Sequence, residues 1–105
     1  MYARTTRILA ARDRIDAGTR QFREVVAEFH GLDGFVGGQF LVDRRTGRVV
    51  ATPFWATEAA MVASDHHAES ARLRAAETWG ATVSPTVERY EVTFSELRGP
   101  AGPAA

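Results

Sequence analysis

Two adjacent histidines, His66 and His67, followed by Ser70 and Arg74, are the densest run in this 105-residue chain of side chains able to move a proton or hold an anion. His67, Ser70 and Arg74 recur at i, i+3 and i+7, which puts them on one stripe of a helix beside the small residues Ala68, Ala71 and Ala75. Two readings of that stripe are open. It is either a solvated face, or the border of a pocket in which Arg74 holds an anion while His67 moves a proton. Neighbouring residues on a helix point about 100° apart, so the two histidines do not chelate one metal as an i, i+4 pair would. Arg4 and Arg7 fall on opposite faces of a strand by its period of two, and each needs an anion or open water. One can line a cavity, and the alternative is an inter-subunit salt bridge with Glu88 or Glu91. Tyr90 shares a strand face with Val92 and Phe94 and is expected in the core, with its hydroxyl on a polar partner. Trp55 closes a strand ahead of a helix, a position open to both core packing and a pocket wall.

What is missing narrows the chemistry further. The chain has no Cys, no Lys and no Asn. Disulfides, thiolate nucleophiles, zinc thiolate sites and Schiff-base lysines are therefore excluded. Thirteen basic residues balance thirteen acidic ones, so the net basicity of a nucleic-acid binder is absent. With 45% hydrophobic and 25% charged residues, the composition is that of an ordinary globular domain, and no apolar run reaches membrane-spanning length. No phosphate loop, nucleophile elbow or metal motif is present. Met1 leads straight into a strand-like segment without an export signal, so a cytoplasmic location is expected.

The elements that must position these residues follow from periodicity. Tyr2 to Leu9 is β-rich. Ile15, Phe22, Val25, Val26 and Phe29 form one helical stripe, with Asp13 or Asp16 expected to cap its start and Gly31 to close it in a left-handed conformation. Phe35 to Asp43 and Arg48 to Trp55 are apolar runs joined by Arg44, Arg45, Thr46 and Gly47, a hairpin-length loop. Thr57 caps an alanine-rich helical segment running to Trp79, with a break near Ser64 and a stop at Gly80. Thr86 to Phe94 alternates as a last strand. Residues 1–98 thus form one α+β domain of ferredoxin-like βαββαβ order, and 99–105 a flexible tail. Two helices cover one face of a four-stranded antiparallel sheet. The hairpin strands are apolar on both faces, so the other face needs a partner, most economically a second copy of the same sheet.

Three local patterns carry a resemblance. Leu32, Gly34, Phe35 and Gly37 lead into the second strand, Trp55, Thr57, Glu58, Ala60 and Met61 lead into the second helix, and Glu88, Tyr90, Glu91 and Val92 make the last strand. Together, in this order and spacing, they resemble the antibiotic biosynthesis monooxygenase domain of the dimeric α+β barrel superfamily, from about Tyr2 to Leu97. The resemblance implies a homodimer with a pocket between sheet and helices, and oxidation of a small aromatic, polyketide- or quinol-like molecule by O₂ without metal or flavin. In the polyketide oxygenases the tryptophan opening the second helix lies in the pocket, and Trp55 matches it. A Leu-Arg pair late in that helix resembles Leu73-Arg74. The family's tyrosine six residues after the tryptophan is Met61 here, and its asparagine four before is Ala51, so the proton relay of that mechanism is not matched.

The expected site is therefore Arg74 with His67 or His66 for catalysis, and Trp55, Arg4, Met61 and Tyr90 against the substrate. No metal, nucleic acid or membrane is expected as a partner. A non-catalytic or stress-related binding dimer is the alternative, favoured by the missing Tyr and Asn. A haem-binding or isomerase-type member is a minor one, since the haem branch uses a strand-one asparagine that this chain lacks.

Overall fold

A computed structural model describes residues 1–81 and 84–98. Its elements are β1 (Tyr2–Leu9), a 3-10 turn (Arg12–Arg14), α1 (Ile15–Phe29), β2 (Phe35–Asp43), β3 (Arg48–Trp55), α2 (Glu58–Ala63), α3 (Asp65–Thr78) and β4 (Thr86–Glu91). The strands form one antiparallel sheet in the order β2-β3-β1-β4, the split arrangement of a ferredoxin-like fold with β1 and β3 central. Residues 99–105, expected to be a flexible tail, lie outside the described residues.

Helix α1 buries Ile15, Gly18, Phe22, Val25 and Phe29, the stripe its sequence period requires. Gly18 belongs there because the Trp79 ring lies against it: a Cβ at 18 would stand 3.0 Å from the indole nitrogen. The Thr57 hydroxyl accepts the Ala60 N–H at 3.0 Å and so caps α2. At Ser64 the helical segment breaks between α2 and α3, with the Ser64 hydroxyl donating to the Met61 carbonyl at 2.6 Å. Gly80 ends α3 in the left-handed region at φ +63°.

Several local expectations are corrected. Neither Asp13 nor Asp16 caps α1, because the 3-10 turn supplies its first turn and no side chain bonds the exposed N–H groups. Gly31 is not left-handed, while Gly34, three residues on, takes φ +78° and turns the chain into β2. Strand β4 stops at Glu91, although the Val92 N–H still donates to the Met1 carbonyl at 2.8 Å. Tyr90 is 46% exposed and Phe94 82% exposed, so neither is core. Tyr90 sits opposite Ala3, on the side of the sheet that no helix covers.

The helices and the sheet enclose two apolar clusters. One joins Ile8, Ala10, Val49, Ala75 and Trp79, and the other Val25, Phe29, Trp55, Met61 and Ala68. Leu9, Leu41 and Tyr90 stay exposed on the opposite face. Arg7 is there too, paired with Glu88 of its own chain.

Candidate functional site

Strand alternation decides what β1 offers the interior. Arg4, Thr6 and Ile8 point towards the helices, and all three are buried. Ala51 and Pro53 on β3 share that side, while α3 contributes Ala68, Ala71, Arg72 and Ala75 and ends on Trp79. Alanines leave the space that larger residues would fill, so a cavity of about 50 Å³ remains between α1, α3 and the sheet. It lies between the two apolar clusters and is walled by Phe22, Val25 and Phe29 on the α1 side. Benzene-sized ligands occupy cavities of about 150 Å³, so entry of a ring requires the walls to move apart.

The buried polar atoms that the cavity's lining residues leave without a partner are almost all donors. Arg4 is only 1% exposed. Its Nη2 donates to the Met61 carbonyl, to Ser64 Oγ and to Asp65 Oδ1, while Nε and Nη1 are buried without a partner among the described residues. Arg72 Nη1, Trp79 Nε1 and Gln21 Oε1 are in the same condition. Five of the six such orphaned atoms found among the described residues belong to residues lining this one cavity, the Trp79 indole nitrogen standing against Gly18. Among the described residues, neither histidine nor carboxylate lines it.

Electrostatics add to the picture. Burial lowers the Arg4 pKa from its ordinary value, Asp65 opposes that shift, and the nearby charges of Arg89 and Arg72 reinforce it. Asp65, at the start of α3, bonds Arg4 and, at 3.2 Å, Arg89. Partial burial acts to raise the Asp65 pKa, but the hydrogen bonds and charges of Arg89 and Arg4 outweigh it and hold the carboxyl below its usual range. One carboxylate thus serves two arginines, and it ties the first turn of α3 to β1 and β4.

The expected site residues are only partly brought together. Arg4 lines the cavity. Trp55 does not: it is fully buried between Phe29 and Phe35, with ring centroids 5.4 and 5.2 Å away, and serves as core. Met61 is core as well, and its carbonyl fixes Arg4. Met61 and Tyr90 border a separate shallow groove with Tyr2 and Arg89. His66 and His67 are exposed, and Arg74 is a half-exposed partner of Glu28 at 3.3 Å, so none of the three reaches the cavity. The stripe of His67, Ser70 and Arg74 is a solvated face. The residues missed from sequence are Arg72 and Gln21. Arg72 lies four residues after Ala68, three before Ala75 and seven before Trp79, so the inward stripe of α3 itself pointed to it.

No family model matches the chain. Two proteins of Mycobacterium tuberculosis (strain ATCC 25618 / H37Rv) are similar in sequence. Uncharacterized protein Rv2557 is 43% identical over 93 residues, 88% of this chain and 41% of its own length. Uncharacterized protein Rv2558 is 38% identical over 95 residues, 90% of this chain and 39% of its own length. The chain therefore spans about two fifths of the length of these relatives. Among solved structures, the monooxygenase from the gene ActVA-Orf6 of Streptomyces coelicolor, in complex with nanaomycin D, superposes with TM-score 0.73 at 14% identity, covering 92% of this chain and 91% of that one. The haem degrader MhuD of Mycobacterium tuberculosis gives 0.65 at 15% identity over 91% and 99%. A structure described as an antibiotic biosynthesis monooxygenase gives 0.62 at 18% identity over 89% and 99%. With its β2-β3-β1-β4 sheet under one helical layer, the chain has the α+β fold of the antibiotic biosynthesis monooxygenases.

Proposed function

We propose that the chain binds a small quinol-like aromatic molecule in the cavity between sheet and helices and oxidises it with O₂ without a cofactor. The observation that carries this reading is the pair of guanidinium groups, Arg4 and Arg72, with buried unpartnered donors in an otherwise apolar chamber. Such donors stabilise an oxyanion far better in a dry site than in water. An electron-rich ring anion then passes an electron to O₂ and the two radicals combine. One oxygen atom enters the ring, and the other leaves as water with two hydrogens of the substrate. Arg4 and Arg72 would hold the anion, Gln21 would orient a hydroxyl, and Phe22, Phe29 and Trp79 would exclude water.

The uncovered sheet face supports a homodimer as the working unit, with a second copy placed over Leu9, Leu41 and Tyr90. A haem does not fit the cavity, which offers no histidine and far too little room. A general-base isomerase lacks its base there. That same absence favours a second reading, a binding protein without turnover. Oxygen-electrode measurements on chelator-treated, flavin-free protein with one-ring and two-ring quinols decide between the two. Uptake above the uncatalysed rate that survives chelation supports the oxygenase. Quinol binding without such uptake leaves the binding protein.

A further inference from the structure

The charges around the cavity do not balance, and the imbalance says what kind of ligand completes it. Asp65 is shared by Arg4 and Arg89, while Arg72 takes part in no ion pair among the described residues. Arg72 is partly exposed, but its Nη1 is buried without an acceptor, as are Nε and Nη1 of the fully buried Arg4, and such donors are costly unless an anion meets them. Among the described residues no histidine or carboxylate lines the cavity, so a group that arrives already ionised meets the guanidinium groups without needing a base there. The one orphaned acceptor, Gln21 Oε1, asks for the opposite partner, a hydroxyl donor. The small volume favours a single ring, which needs the least widening of the cavity, over a fused-ring system.

We propose that the ligand of this cavity is a one-ring aromatic acid carrying its charge on arrival, a carboxylate held by Arg4 and Arg72 with an adjacent hydroxyl donated to Gln21. This deepens the quinol reading, on which it rests for the site, by naming a carboxylated quinol as the substrate class. Arg72 is the specificity-determining residue, since Arg4 is already committed on its Nη2 side to α2 and α3.

The test is calorimetric titration of the protein with 2-hydroxybenzoate, its uncharged amide 2-hydroxybenzamide, and hydroquinone, followed by O₂ uptake with 2,5-dihydroxybenzoate and hydroquinone. The carboxylate should bind at least 10-fold more tightly than the amide. Arg72→Met should weaken the carboxylate by roughly 10- to 100-fold, the worth of a charged hydrogen bond, and leave the amide unchanged. Arg72→Lys should restore most of the loss, and circular dichroism should show both variants folded. Equal binding of acid and amide, or preference for hydroquinone, overturns the proposal. Oxidation of hydroquinone as fast as of its carboxylated form likewise overturns it while sparing the oxygenase reading. Absence of binding by all three compounds overturns the proposal, and the two-ring quinols then decide the oxygenase reading.

Discussion

Arg72→Met should make the free protein more stable while weakening its hold on a ligand. In the free protein the Arg72 Nη1 donor is buried with no acceptor among the described residues. Leaving such a group unpaired costs about 1–3 kcal/mol, and the residue's partial exposure argues for the lower end. Methionine keeps most of the apolar stem that packs along the cavity beside Ala68 and Ala75, so little contact area is lost. The change also removes a positive charge that acts against the buried Arg4. The net gain is about 1 kcal/mol, which for a domain of this size raises Tm by about 4–8 °C. Scanning calorimetry of both proteins at pH 7, without added anions, measures it. A fall in Tm would refute the reasoning, because it would mean that Arg72 has a structural partner. A structural arginine loses stability on removal, whereas one held for a ligand releases strain.

Asp65→Asn should lower stability at pH 7 by about 1 kcal/mol, a value discounted for the partial exposure of that carboxylate, and chemical denaturation checks it. The folded pKa of Asp65 lies below its unfolded value near 3.9, so its contribution is full above that pH and fades as pH falls through the folded pKa. The acid limb of stability should flatten in Asp65→Asn, and an unchanged limb would count against the tie between α3 and the sheet. Arg74→Ala and His67→Ala should each change stability by less than about 0.5 kcal/mol and leave ligand affinity unaltered, because both are exposed and outside the cavity. A tenfold affinity loss in either would put the site back on the outer stripe of α3. Leu41→Glu, on the edge strand β2 of the uncovered sheet face, should convert a sedimenting dimer to monomer at micromolar concentration, and a dimer unaffected by this change would show that another surface makes it.

The order of elements, their bounds to within a few residues, and the single helical layer were legible in the sequence because each is written in a local period. The stripe from Ile15 to Phe29, the hairpin closed by Gly47 and the cap at Thr57 depend on neighbours only a few residues away. Even the surplus of apolar residues on β2 and β3 announced a face that the helices do not cover. Residue types by themselves also excluded whole chemistries, since a chain without Cys or Lys has no thiolate and no Schiff base to offer.

Which polar side chains meet inside was decided by tertiary structure alone. Arg4 and Arg72 are far apart in the chain, and only the docking of α3 over β1 brings both to one cavity. Helix rotation made the difference between Arg72 and Arg74: two positions amount to roughly 200° of turn, enough to exchange the interior for an ion pair with Glu28. Trp55 was ambiguous for the same reason, because a strand-end indole becomes core or pocket wall according to where Phe29 and Phe35 come to rest. Local periodicity tells which residues share a face, but the depth and charge of a cavity depend on how two faces are set against each other, and that is settled only when the whole chain has packed.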